Sequence, residues 1–167
     1  VADYKTEYSR RYEAYSAEGK KPLEVKAPAF VDEKSRLQEY QALYAPQDPG
    51  IAVGKPVRDN GKLDKEHSPS MVTDGKMDPE TSCWWSGPAP KWVEIDLEEV
   101  RDVREVRVFP YWDGSRFYQY TVDVSEDGEN WERIGDMSGN MTPANPIGTS
   151  HQFPARKVRF VRVEVLF

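Results

Sequence analysis

From residue 91 onward the chain alternates apolar and polar residues in short runs, and this two-residue period most narrows what it can fold into. In Lys91-Trp-Val-Glu-Ile-Asp-Leu97, Val93, Ile95 and Leu97 face one way while Trp92, Glu94 and Asp96 face the other, as a half-buried strand requires. A second run, over 103–110, puts Val106 and Val108 inward and Glu105 and Arg107 outward. In a third, Tyr120, Val122 and Val124 alternate with Thr121 and Asp123. Asp127-Gly128 follows as a hairpin signal, because both residues tolerate positive φ, and a fourth run over 131–134 begins with Trp131, expected in the core. The last run, 155–167, has Val158 and Phe160 in one parity and Val161, Val163, Val165 and Phe167 in the other, which a bulge near Phe160-Val161 reconciles. Short strands, turn signals and little helix after residue 50 predict an all-β, antiparallel β-sandwich.

Residues 1–50 follow a different period. Tyr4, Tyr8, Tyr12 and Tyr15 stack on one face of a predicted helix that Gly19 stops, and a second helix is expected from about Asp32 to Tyr44, before Pro46 and Pro49. This two-helix extension reads as the tail of a preceding module, with the tyrosine stripe docking on a neighbouring or partner protein. The chain begins at Val1 with no charged-then-apolar leader, and so reads as an excised or processed piece.

Composition removes whole classes of function. With 23 Lys and Arg against 29 Asp and Glu, a formal charge of -6, nucleic acid is excluded as the main partner and an anionic membrane is disfavoured. No apolar run approaches the roughly 18 residues of a spanning helix. Cys83 is the single cysteine and makes no internal disulfide, while His67 and His151 are the only histidines. His67 sits in a charged stretch that reads as a solvated loop, no His/Cys cluster suits zinc, and the Glu98-Glu99 pair stands at a strand end with no partner signature, which disfavours an enzyme.

Several stretches in order carry a resemblance: Ile51-Ala-Val-Gly-Lys-Pro-Val57, Met71-Val-Thr-Asp-Gly75, Cys83-Trp-Trp-Ser-Gly87, Lys91 to Leu97, Val106-Arg-Val108, Tyr120-Thr-Val-Asp-Val-Ser-Glu-Asp-Gly-Glu-Asn-Trp131 and Arg159-Phe-Val-Arg-Val163. Residues 51–167 resemble the discoidin domain, or coagulation factor 5/8 type C domain, of the galactose-binding-like superfamily. The resemblance implies a jelly-roll-like sandwich of about eight strands without catalytic machinery. It also implies a carbohydrate-binding role beside a glycan-degrading enzyme, in an extracellular or periplasmic setting.

The loop 111–118, Tyr-Trp-Asp-Gly-Ser-Arg-Phe-Tyr, is the most ligand-like stretch. A pyranose offers a C–H face to an aromatic ring and hydroxyls to directional polar groups. Tyr111 or Trp112 can supply the ring, and Asp113 and Arg116 the polar groups; the alternative is that the rings cover the open end of the sandwich. The long loop over 138–150, read as containing Asn140, Asn145 and His151, is expected to approach the same rim, and His151 is a further candidate for a sugar hydroxyl. One of Trp84 and Trp85 is expected in the core, and the other is a candidate rim residue.

Residues 74–82 are oxygen-rich and tightly turned, which suits calcium, a hard ion with roughly six to eight oxygen ligands. By resemblance Asp74 is the loop carboxylate and Thr81 or Ser82 the hydroxyl ligand. Asp78 or Glu80 is a substitute or a solvated charge, and Glu164 is the nearest match to a closing glutamate. The leading reading is a non-catalytic glycan-binding domain, with either a structural calcium ion or a metal-free capped turn in this loop. Its rival is a docking domain that meets a protein partner through the N-terminal helices.

Overall fold

The computed structural model describes residues 35, 50–61, 66–77 and 80–167. The chain divides into two compact units, Val1–Arg36 and Leu37–Phe167, and the strands belong to the second. Among the described residues no α-helical element occurs; the helical elements reduce to a 3-10 turn, Pro69–Thr73. The fold is therefore corrected to an all-β antiparallel sheet without support for the two-helix extension expected over 1–50. Of that extension only Ser35, in a helical state, and Gly50 are described, and the tyrosine stripe lies outside the described residues.

Among the described residues five strands form one antiparallel sheet: β1 (Val57–Asp59), β2 (Lys91–Val108), β3 (Tyr120–Ser125), β4 (Glu132–Asp136) and β5 (Thr149–Val165). Their order is β1-β2-β5-β3-β4, consistent with a galactose-binding-like β-sandwich. The runs expected at 91–97 and 103–110 are the two halves of one long strand. Between the pairs Asp96↔Phe160 and Arg101↔Val158 the ladder breaks register, with the additional residues on β2. Glu98 takes a positive φ of 68° there, held by its N–H donating to Asp96 Oδ1 at 2.7 Å and its carboxylate on Lys55 Nζ at 2.7 Å. The parity of β5 does switch between the buried Val158 and Val161, but the bulge that accommodates it is on the partner strand.

Alternation assigns the two faces. On the inner face Val57, Ile95, Val161 and Val124 form one cross-strand row and Val93, Val163 and Val122 the next. These valines, with Leu97, Val103, Tyr120 and Val158, make the core, in which Val122 and Val158 are fully enclosed. A buried valine contributes roughly 1.5–3 kcal/mol.

Between those two rows, on the outer face, Arg58, Glu94, Arg162, Asp123 and Arg133 lie side by side on β1, β2, β5, β3 and β4. Charge alternates at every step across the sheet. Glu94 is only 2% exposed and takes Arg58 Nε on one oxygen at 2.7 Å and Arg162 Nη2 on the other at 2.7 Å. Arg133 forks Asp123 at 3.0 and 3.3 Å. The Arg162 guanidinium also lies over Trp131, 3.9 Å from its centroid, and over Trp92 at 5.0 Å. Trp131 thus belongs to this outer cluster rather than to the core, its indole N–H donating to Gly128 O at 3.1 Å.

The β3–β4 hairpin forms where Asp127-Gly128 predicts it. Asp127 Oδ1 accepts the Asn130 N–H at 2.8 Å, Oδ2 accepts the Asn130 side-chain amide at 2.7 Å, and Oδ1 also accepts the Glu129 N–H at 2.8 Å; together these hold its carboxyl far below the usual range. Gly128 has φ +82°, and a Cβ there would stand 3.2 Å from the Phe160 ring, so both conformation and space demand glycine.

Candidate functional site

Over the inner face of the sheet lies a cavity of about 480 Å³, within the usual range for small-ligand sites. Val93, Ile95, Val161 and Val163 form part of its floor; Trp85, Tyr111, Arg116 and Tyr118 are among the aromatic and polar groups that line it. Loops, rather than strands, bring these groups together.

Asp113 shapes the first loop. Its Oδ1 accepts Ser115 N–H at 3.0 Å, Ser115 Oγ–H at 2.9 Å and Arg116 N–H at 2.9 Å, which closes an Asx turn around Gly114. The backbone N–H of Arg116, followed by that of Ser115, lowers the Asp113 carboxyl below the ordinary carboxylate value. Its other oxygen holds Arg116 Nε at 2.9 Å. That ion pair aims the guanidinium over the Tyr111 ring, 4.8 Å from its centroid. Burial raises the Tyr118 phenol, so it stays a neutral donor. Tyr111 and Arg116 therefore form a preset platform beside the cavity, with Asp113 as its brace.

The other candidates sit elsewhere. Trp112 is half-buried and does not line the cavity, and its buried Nε1 has no hydrogen-bond partner. His151 is a buried residue of β5, not a loop residue: Nε2 lies 3.1 Å from Tyr120 Oη and the rings meet edge to face. Gly135 backs it closely, since a Cβ there would stand 2.4 Å from His151 Nδ1. Burial depresses the His151 pKa. Trp84 packs against the core and donates to Asp59 Oδ2 at 2.7 Å, while Trp85 is 59% exposed and meets His67 edge-on at 6.3 Å. The tandem tryptophans thus divide between core and rim, as the sequence suggests.

In the loop expected to bind calcium, Ser82 Oγ–H donates to Asp74 Oδ2 at 2.5 Å and Lys76 N–H to Oδ1 at 2.8 Å. Two hard oxygens therefore converge. Thr81 is exposed, Asp78 lies outside the described residues, and Glu164 stands on β5 opposite Trp92 and Thr121. Among the described residues no three His, Cys, Asp or Glu side chains form a metal-binding group.

The family model of the F5/8 type C, NedA-like galactose-binding domain matches residues 71–163, more than half of the chain. The chain belongs to this family. Solved structures similar to this galactose-binding-like domain include the Clostridium perfringens module CpGH89CBM32-4 in complex with GlcNAc-α-1,4-galactose, at 23% identity and a TM-score of 0.60 over 70% of this chain and 78% of that one. Another is chitosan-binding module 2, in complex with chitotriose, from a chitosanase/glucanase of Paenibacillus sp. IK-5, at 22% identity and a TM-score of 0.55 over 70% and 87%. The fold also matches part of the family 89 glycoside hydrolase of C. perfringens, at 24% identity and a TM-score of 0.57, over 69% of this chain and 12% of the enzyme. No curated protein matches the chain. Among the described residues no helix is long and apolar enough to cross a membrane.

Tyr118 and Lys91 are among the cavity-lining groups that a reading of the sequence does not single out. Tyr118 is hidden behind the more conspicuous Tyr111-Trp112 pair. Lys91 opens a strand whose alternation assigns it the inner face, and that parity was the signal available.

Proposed function

We propose that this member of the galactose-binding family is a non-catalytic carbohydrate-binding domain, one that brings an attached or associated glycan-active enzyme to its substrate outside the cytoplasm. The observation that carries the reading is the braced Tyr111–Arg116 platform at a cavity in this family's fold. A sugar ring stacks its C–H face on Tyr111, and Arg116 and Tyr118 donate to its oxygens. The solved complexes of similar modules with GlcNAc-α-1,4-galactose and chitotriose support it. Burial raises the Cys83 thiol, which argues against a nucleophilic role. So small a contact gives weak single-site affinity, which multivalency improves.

A glycan array probed with the wild type and with Tyr111→Ala tests this. Selective binding lost in the variant, with both proteins folded, supports the reading; equal binding by both, or none by the wild type, overturns it. Within the same reading, calcium is a structural ion that Asp74 and Ser82 help to hold, lending the loop rigidity. Melting should then rise on adding calcium and return with a chelator, and Asp74→Asn should remove the increment.

A further inference from the structure

The charge of the cavity lining runs against that of the whole chain. Acids outnumber bases in the sequence, yet among the described residues the lining holds Lys76, Lys91, Arg107 and Arg116 and no carboxylate. Arg107 and Arg116 are paired with Glu105 and Asp113, which lie outside the lining. Lys76 and Lys91 have no ion-pair partner among the described residues.

Lys91 is the more telling. It heads the inner-face row that continues through Val165 of β5 to Tyr120 of β3, two residues before the buried Val93. The carboxylates on neighbouring positions, Glu94 and Glu164, share the opposite parity and belong to the outer face. Lys91 is partly buried beside the apolar floor, and among the described residues of the lining no carboxylate faces it, which leaves its ammonium available to a group bound in the cavity. A shift of one residue would have put Lys91 outside with the carboxylates.

Resting on the reading of this cavity as a glycan site, we propose that it selects a glycan bearing negative charge, a uronate or a sulfated sugar, over neutral and cationic ones. The pyranose lies on Tyr111, and its acidic group meets Lys91 and Lys76. Arg116, already satisfied by Asp113, is left to orient hydroxyls. The chain's net charge opposes long-range attraction of such a ligand, so the preference arises locally and is carried by these ammonium groups.

The test is calorimetric titration of the full chain with trigalacturonate, a sulfated galactose trisaccharide, neutral trigalactose and a glucosamine trimer. At least one acidic ligand should bind about tenfold tighter than the neutral one, a preference that shrinks between about 20 and about 500 mM salt. Whichever acidic ligand binds identifies the charged group. Lys91→Gln and Lys76→Gln should each weaken acidic binding about threefold more than they weaken neutral binding. Lys91→Arg, which keeps the charge, should retain the preference and guards against a folding defect. Neutral or cationic sugar bound as tightly as the acidic one, or a preference indifferent to salt, overturns the inference and leaves the carbohydrate-binding reading standing. No binding to any sugar overturns both.

Discussion

The two faces of the five-stranded sheet are built from the same strands by opposite means. Inside, row upon row of valine removes apolar surface from water, and no single contact is directional. Outside, five charges of alternating sign sit in register, and the central arginine lies against two tryptophans. The inner face tolerates exchange among apolar residues of similar size. Its partner does not, because taking away one charge strands its neighbours. Stability should therefore respond differently to damage on the two sides.

The largest effect is expected at Glu94. Glu94→Ala leaves Arg58 and Arg162 without their shared acceptor and should cost about 3 kcal/mol in a denaturant melt, below the upper end for buried pairs because both arginines keep some contact with water. A loss below about 1 kcal/mol would show that the ladder is ornamental. Next comes Val122→Ala on the inner face, which should cost about 2.5 kcal/mol through lost burial and the cavity left behind. That loss should not change with salt, so a strong salt dependence would undo the contrast between the faces.

Smaller still is a pH effect at His151. Its folded pKa lies below the ordinary 6.5, so the unfolded chain takes up the proton first and stability falls as pH drops below about 6.5. The melting temperature should decline from there toward pH 5, above the range where the lowered carboxylates Asp96, Glu105 and Asp113 begin to contribute. In His151→Gln the decline should vanish; its persistence would assign the titration to another group. A small stability change belongs to Tyr111→Ala, about 1 kcal/mol for a half-buried ring that loses its contact with the Arg116 guanidinium, even as glycan binding is lost. A larger destabilisation would make the ring a structural cover.

Much of this arrangement is legible in the residues. Period-two alternation identifies the inner valines, and Asp127-Gly128 places the hairpin. Alternation says which side a residue takes but not whether that side is covered, so Glu94 reads as solvated although the structure encloses it. Trp131 misleads for the same reason: an aromatic residue at a strand start is an ordinary core signal, and the guanidinium that claims it comes from β5, far along the chain. The polar stretch 98–102 reads as a turn between strands, because a register break is a property of the pair. At the site, Tyr111, Asp113 and Arg116 were visible as a chemistry-rich loop. Their division of labour was not, because it depends on which Asp113 oxygen the turn consumes.

The strand order bears on how the protein is made. β5 is the last strand in the chain yet lies between β2 and β3, so the β1–β2 and β3–β4 halves have no common ladder until it is present. At about 5–20 residues per second, the stretch from residue 91 to residue 165 takes several seconds to emerge from a ribosome. During that interval the valine faces of both halves have no completed core to enter. Chains halted before residue 158 should engage chaperones, and those extended past 165, once clear of the exit tunnel, should release them and become resistant to protease.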